Sequence, residues 1–307
     1  MSTVSVAAPA TSSSVLWRLT RIEAVRYAKH PLFLIGFALA LASSGTYGPV
    51  ELDHQVVPAF FLGVLGIIVA NRLVSASDRS APVVDAAPVA ETVRTAALCL
   101  ACLVPGAAGV VVVLFHRIFV LMDPPAAFEY AGYDADQRFL ITVAIPVVAC
   151  VGGPLLGVVV GRWLRFRGAA VLTVLAVWFW AGACAYISQS IDGETLLARV
   201  LHLLTPYTAF LETNAGSNAG PTLVTSFTGS PFWYFVWTVA LCGLAATTAL
   251  LRGATGGARR TLLRWFAGLA AVAVTAVVLG VTTGAHRLVH FTPDGSSSVV
   301  KPAPADG

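Results

Sequence analysis

The feature that most constrains this chain is a series of seven long apolar stretches, near residues 31–48, 56–75, 95–115, 139–161, 168–187, 232–251 and 262–284. A helix crosses a hydrocarbon core of about 30 Å with about 20 residues. In lipid a helix is also one of the few structures that satisfies every backbone polar group internally. The first stretch is diluted at its far end by Ser43, Ser44, Gly45 and Thr46; the other six are clear. Composition agrees, since 57% of the residues are hydrophobic and only 11% charged, against roughly 25% charged in soluble domains. Such a chain lacks the polar side chains to cover a water-facing surface. The expected fold class is therefore all-α: a polytopic membrane helix bundle, read as a six-helix core plus a seventh C-terminal transmembrane helix.

Orientation follows from the basic residues, which cytoplasmic loops retain. Arg18, Arg21, Arg26 and Lys29 precede the first stretch. Arg72, Arg79 and Arg94 flank the second loop, Arg162, Arg165 and Arg167 the fourth, and Arg252, Arg259, Arg260 and Arg264 the sixth. These fourteen lie on one side, and only Arg117, Arg138, Arg199, Arg287 and Lys301 on the other. The N-terminus is expected in the cytoplasm and the C-terminus outside, in a bacterial inner membrane. The first seventeen residues carry no charge and no signal-peptide pattern, so 1–14 reads as a disordered cytoplasmic tail.

Three further segments read as structured. Residues 15–30 place Leu16, Leu19, Ile22 and Val25 at helical spacing among the basic residues, as in a helix lying on a membrane surface, with Pro31 making a corner. The loop at 76–94 holds Pro82 and Pro88 around a stretch long enough for only a turn or two of helix. In the external loop 188–231, Asp192 is placed to cap a helix whose face is Leu196, Leu197, Val200, Leu201 and Leu204. An irregular Gly-, Ser- and Thr-rich cap follows it, and 285–307 is an external tail without an assigned role.

The chemistry of the chain is mostly exclusion. Its two lysines, Lys29 and Lys301, lie outside any Gly-Lys-Ser/Thr sequence, so no P-loop holds nucleotide phosphates here. His286 and His290 are four apart but lack a glutamate base between them. Cys99 and Cys102 form a CxxC inside an apolar helix, where cysteine acts as a small hydrophobe. Ionisable residues are nearly absent from the interiors of the stretches. A charge at mid-membrane costs at least about 2.5–3.5 kcal/mol and is usually kept for function, which counts against an ion-coupled carrier. Aromatic residues are plentiful instead. Phe232, Trp233 and Tyr234 sit where an interfacial belt is expected. Phe60, Phe61, Trp178, Trp180 and Tyr186 lie deeper and either line a path for a hydrophobic solute or simply pack.

Taken in order, Leu16-Trp17-Arg18-Leu19-Thr20-Arg21-Ile22, then His30-Pro31-Leu32-Phe33, the loop ending Asp85-Ala86-Ala87-Pro88-Val89, and the external Leu203-Leu204-Thr205-Pro206-Tyr207 resemble the permease subunits of ABC exporters, specifically the type-2 permeases common in actinobacteria. The resemblance spans about 15–251; the seventh span and the tail depart from the family's six-span core. It implies a permease that moves a hydrophobic or amphipathic solute outward and carries no cofactor, with ATP and Mg on a separate cytosolic P-loop ATPase. It also implies a second permease subunit, homo- or heterodimeric, membrane lipids as surroundings, and no nucleic acid. The ATPase contact would fall on Asp78, Asp85, Pro88, Val89 and Glu91, with Arg18 and Arg21 of the N-terminal helix. The competing class is a non-transport membrane protein, an assembly scaffold or an enzyme on lipid-linked substrates. Asp123, Glu129, Asp134 and Asp136 are the one acidic group such an enzyme could use.

Overall fold

A computed structural model describes residues 12–46, 56–79, 89–122, 135–164, 166, 168–190, 196–204, 211–215, 223–227, 230–283, 288–291 and 297–300. Helix α1 (Ser12–Ala28) stops at Lys29, and α2 (Pro31–Thr46) starts with proline at its first position, where a missing N–H costs nothing. The two meet at 62°, the corner expected at Pro31. His30 makes the joint: its carbonyl accepts the Phe33 and Leu34 amides, and its Nδ1 accepts the Leu32 amide at 3.3 Å.

Helix α3 comprises Val56–Pro58, a wide π-turn Ala59–Val64, and Leu65–Arg79. Helices α4 (Glu91–Ala101) and α5 (Leu103–Met122) form one long rod broken at Cys102. Pro105, unable to donate to the Ala101 carbonyl, accounts for that break. Helix α6 runs through Ala135–Phe139, a second π-turn Leu140–Ala144, and Ile145–Trp163. Then come α7 (Ala169–Ser190), α8 (Leu196–Leu203), α9 (Pro231–Leu251) and α10 (Gly256–Thr283). Among the described residues, five helices are long and apolar enough to cross a membrane: Ala59–Ser77, Glu91–Phe119, Ala135–Trp163, Pro231–Leu251 and Gly256–Thr283. The bent pair α1–α2 passes the same test only as a pair, and the apolar part of α7, Ala169–Cys184, is shorter.

Helix α6 is the centre of the bundle, packing on α3, α5 and α9. Its Gly153, Gly157 and Gly161 recur every four residues and turn one bare face to α3. A Cβ on Gly153 would run into the Gly63 carbonyl, one on Gly157 into the Ile67 carbonyl, and one on Gly161 would lie 2.8 Å from the Val74 Cβ. Small residues at this spacing let two backbones touch, which is how helices associate where lipid removes the hydrophobic drive. The π-turn of α3 carries Gly63 into this contact.

Helix α1 packs within the protein on a side other than its Ile22–Val25 stripe, which is left exposed. Thr20 and Tyr27 are buried, whereas Ile22 and Val25 are exposed beside Arg18, Arg21 and Lys29. Helix α1 packs along α4 on its Thr20–Tyr27 side, because Tyr27 and not Ile22 finds a core to enter. In the external helix, Leu196 and Leu197 of the expected apolar face are exposed, and Leu203 is buried against Gly280 of α10. The capping residue expected at Asp192 and the tail at 1–11 lie outside the described residues. Ser12 to Ser14, expected in that tail, already belong to α1.

An addition to the expected all-α architecture stands at the end away from the arginine-rich loops. Strands β1 (Leu211–Ala215), β2 (Leu223–Phe227), β3 (Leu288–Phe291) and β4 (Ser297–Val300) form one antiparallel sheet in sequence order. Val224 pairs with His290 and Ser226 with Leu288. The α8–α9 connection and the segment after α10, read from sequence as an irregular cap and an unassigned tail, are thus hydrogen-bonded to one another. Runs such as Leu223-Val224-Thr225 and Val299-Val300 have the β-branched content that strands favour.

Candidate functional site

At the arginine-rich end, the start of α4 is tied to three other elements. Glu91 opens α4, and its carbonyl accepts the Thr95 hydroxyl at 3.0 Å. Its carboxylate meets the Arg162 guanidinium at 3.4 Å, where Arg162 is almost fully buried at the end of α6 and Glu91 is 40% exposed. The Glu91 side chain also lies on Gly253, between α9 and α10, so closely that a Cβ there would be 3.2 Å from it. The ion pair joins residues 71 positions apart and holds the exit of the preceding loop to the centre of the bundle. Arg18 and Arg21 are exposed on α1, which packs on α4. Val89 is half-buried just before α4. Asp78 ends α3 as part of its last turn, and Asp85 and Pro88 lie outside the described residues. Of the expected ATPase-contact residues, Glu91 is therefore engaged within the chain by Arg162.

Tyr27 links this end to the interior. Its ring packs edge-on against Phe33 with centroids 5.4 Å apart, and a Cβ on Gly66 would meet its hydroxyl at 2.9 Å and the Pro154 ring at 2.5 Å. The hydroxyl is buried and has no hydrogen-bond partner among the described residues. Tyr27 thus carries α1 into the α3–α6 crossing. One turn earlier Glu23 accepts two hydrogen bonds from Arg26, at 2.9 and 3.1 Å. Burial raises the Glu23 pKa above the usual carboxylate value, and Arg26 opposes the rise.

The expected aromatic path divides. Phe60 and Phe61 sit on the α3 π-turn with centroids 5.1 Å apart, and Phe60 lies 6.0 Å from Trp178 of α7. Trp180 turns elsewhere and donates from Nε1 to the Leu204 carbonyl beyond α8 at 3.1 Å. Two residues apart on a helix is about 200° of rotation, so Trp178 and Trp180 cannot share a wall. The Tyr186 side chain lies outside the described residues. A cavity of about 360 Å³ opens between α6 and α9, lined mainly by apolar residues such as Val148, Leu156, Leu241 and Ala245, with Val177 from α7. Neither Phe60, Phe61, Trp178 nor Trp180 lines it.

At the opposite end, α5 extends to Met122, which places Arg117 inside helix. Its Nη2 donates to the Thr142 hydroxyl at 2.7 Å, and Thr142 in turn donates to the Arg138 carbonyl at 2.8 Å. Thr142 lies on the α6 π-turn, and such turns are frequent at functional sites. The bond joins residues 25 positions apart, so the sequence pattern alone does not show it. Among the described residues no three His, Cys, Asp or Glu side chains are placed to hold a metal ion. His286, Asp123, Glu129 and Asp134 lie outside them, and Asp136 is in the first turn of α6. Compared with protein-family models, curated proteins and solved structures, the chain matches none of them.

Proposed function

We propose that this chain is the membrane-spanning permease subunit of an ATP-driven exporter, moving a hydrophobic or amphipathic solute outward with the energy of a separate cytosolic P-loop ATPase. It crosses the bacterial inner membrane seven times, with α1 along the cytoplasmic surface and the sheet outside. The pairing of β2 with β3 supports this arrangement, because it requires the α8–α9 connection and the segment after α10 to be on one side.

The observation that carries the reading is the seat of Tyr27 between Gly66 and Pro154. A partner pushing on α1 from the cytoplasm acts on the crossing of the two innermost helices. The Glu91–Arg162 pair provides a second link, from the loop before α4 to the end of α6. In this mechanism the ATPase contacts Asp85, Pro88 and Val89 together with Arg18 and Arg21, and its closure rocks α3 against α6. The solute passes beside Phe60, Phe61 and Trp178. Nucleotide and Mg belong to the ATPase.

The test is purification of the full chain from native membranes. The wild-type protein is expected to bring a P-loop ATPase with it. Asp85→Arg with Val89→Arg is expected to lose that companion while still inserting in the membrane. A functional protein with no ATPase attached, or normal co-purification of the double variant, would overturn the proposal.

A further inference from the structure

The corner between α1 and α2 encloses an open cleft of about 810 Å³ at the arginine-rich end. Arg26, Lys29 and His30 line it from the corner, Arg72 from α3, and Val25 and Leu73 supply apolar wall. Among the described residues no acidic side chain lines it. Arg26 is shared with Glu23, but neither Lys29 nor Arg72 forms an ion pair with a described residue. His30 adds a donor. Its Nδ1 accepts the Leu32 amide, so the proton of the neutral ring is on Nε2, and burial with Arg72 nearby holds its pKa below the usual value. Three cationic side chains and the His30 ring line one space.

A second observation says what kind of anion fits. Pro31, which lines the cleft, is the first of an exposed stripe with Leu34, Ile35 and Ala38 along α2. This i, i+3, i+4, i+7 spacing is one helix face. Leu34 and Ile35 are more than half exposed. The polar cleft therefore opens onto an apolar track along the membrane-directed helix. We propose that the cleft binds the phosphodiester headgroup of an anionic phospholipid, with the acyl chains lying along the Pro31–Leu34–Ile35–Ala38 stripe. A bound lipid would brace the α1–α2 corner against α3. The inference requires only that the protein resides in a membrane and is independent of the exporter reading.

The test is native mass spectrometry of the full-length detergent-solubilised protein titrated separately with phosphatidylglycerol, phosphatidylcholine and inorganic phosphate. Phosphatidylglycerol is expected to bind in preference to phosphatidylcholine, and millimolar phosphate is expected to leave it bound. Lys29→Gln with Arg72→Gln is expected to weaken phosphatidylglycerol by about 30-fold, two cations' worth of headgroup attraction. Ala76→Glu keeps both cations and places a carboxylate in the cleft, so it should abolish the preference even if the double variant folds poorly. Arg18→Gln with Arg21→Gln, on α1 but outside the cleft, should leave the preference intact. Equal binding of both lipids, retention of the preference by Ala76→Glu, or its loss in the Arg18/Arg21 variant would overturn the site. Displacement of the lipid by phosphate would assign the cleft to a soluble anion and overturn the lipid proposal.

Discussion

Helices α3 and α10 are both apolar enough to cross a membrane, yet the bundle uses them differently. In α3, 56% of the most apolar window is buried within the protein, and in its neighbour α6 50%, whereas in α10 the share is 22%. Helix α7 resembles α10, with Leu175, Trp178 and Phe179 all exposed. Apolarity does not separate an inner helix from an outer one, because lipid accepts an apolar face as readily as the protein does. Close approach does separate them. The glycines of α6 bring its backbone against α3, while a Cβ on Gly182 of α7 or Gly268 of α10 would meet nothing within 4 Å.

That contrast is most easily broken by adding side chains. Gly153→Leu and Gly157→Leu press against backbone carbonyls that cannot move aside, and each is expected to cost more than about 3 kcal/mol, read as loss of a monodisperse peak after solubilisation. Gly182→Leu and Gly268→Leu should behave as wild type. If all four are tolerated, the α3–α6 crossing is not the packed centre. The next largest effect concerns Tyr27. Tyr27→Ala empties the seat at the crossing and should cost about 3 kcal/mol in thermal unfolding. Tyr27→Phe removes a hydroxyl with no hydrogen-bond partner among the described residues and is expected to be neutral or stabilising.

Smaller effects are expected where solvent or a single bond is involved. Glu91→Gln weakens the contact with buried Arg162, at about 1–2 kcal/mol because Glu91 is partly exposed. Arg162→Met with Glu91→Gln should recover part of that loss. At the periphery, Trp180→Phe removes one hydrogen bond to the Leu204 carbonyl and should cost about 1 kcal/mol, with the core unaffected. The smallest is a pH effect. The His30 pKa is lowered in the folded protein, so its contribution is complete above the unfolded value near 6.5 and is lost as pH falls below it. Midpoint temperatures between pH 7.5 and 5.5 should fall slightly, and His30→Gln should flatten the dependence. An anionic lipid in the neighbouring cleft would reduce it as well.

Much of the helical layout was legible in the chain. Each of the seven apolar stretches is helical over its described residues, the third with a break at Cys102, and Pro31 forms the corner that its ring chemistry requires. The three glycines of α6 are visible as a four-residue repeat, but in so glycine-rich a chain the repeat does not name its partner. Which side of α1 and of α8 packs within the protein is hidden for the same reason. Periodicity locates an apolar stripe, yet Tyr27 and Leu203 are buried because a cavity in another element fits them. The sheet was missed because each strand is short and its two local hairpins are joined only by β2 and β3, which lie more than sixty residues apart in the chain.

The amino-acid sequence alone determined the solvent this protein needs, the helices that solvent demands and the asymmetry of charge between their ends. These depend on the transfer of single residues or short runs into lipid, which requires no knowledge of neighbours. Tertiary structure decided which helix lies at the centre, where Tyr27 and Arg162 are seated, and that two distant segments share a sheet. Each of those outcomes rests on a pairing of surfaces, and complementarity is a property of two partners that neither carries in its own composition.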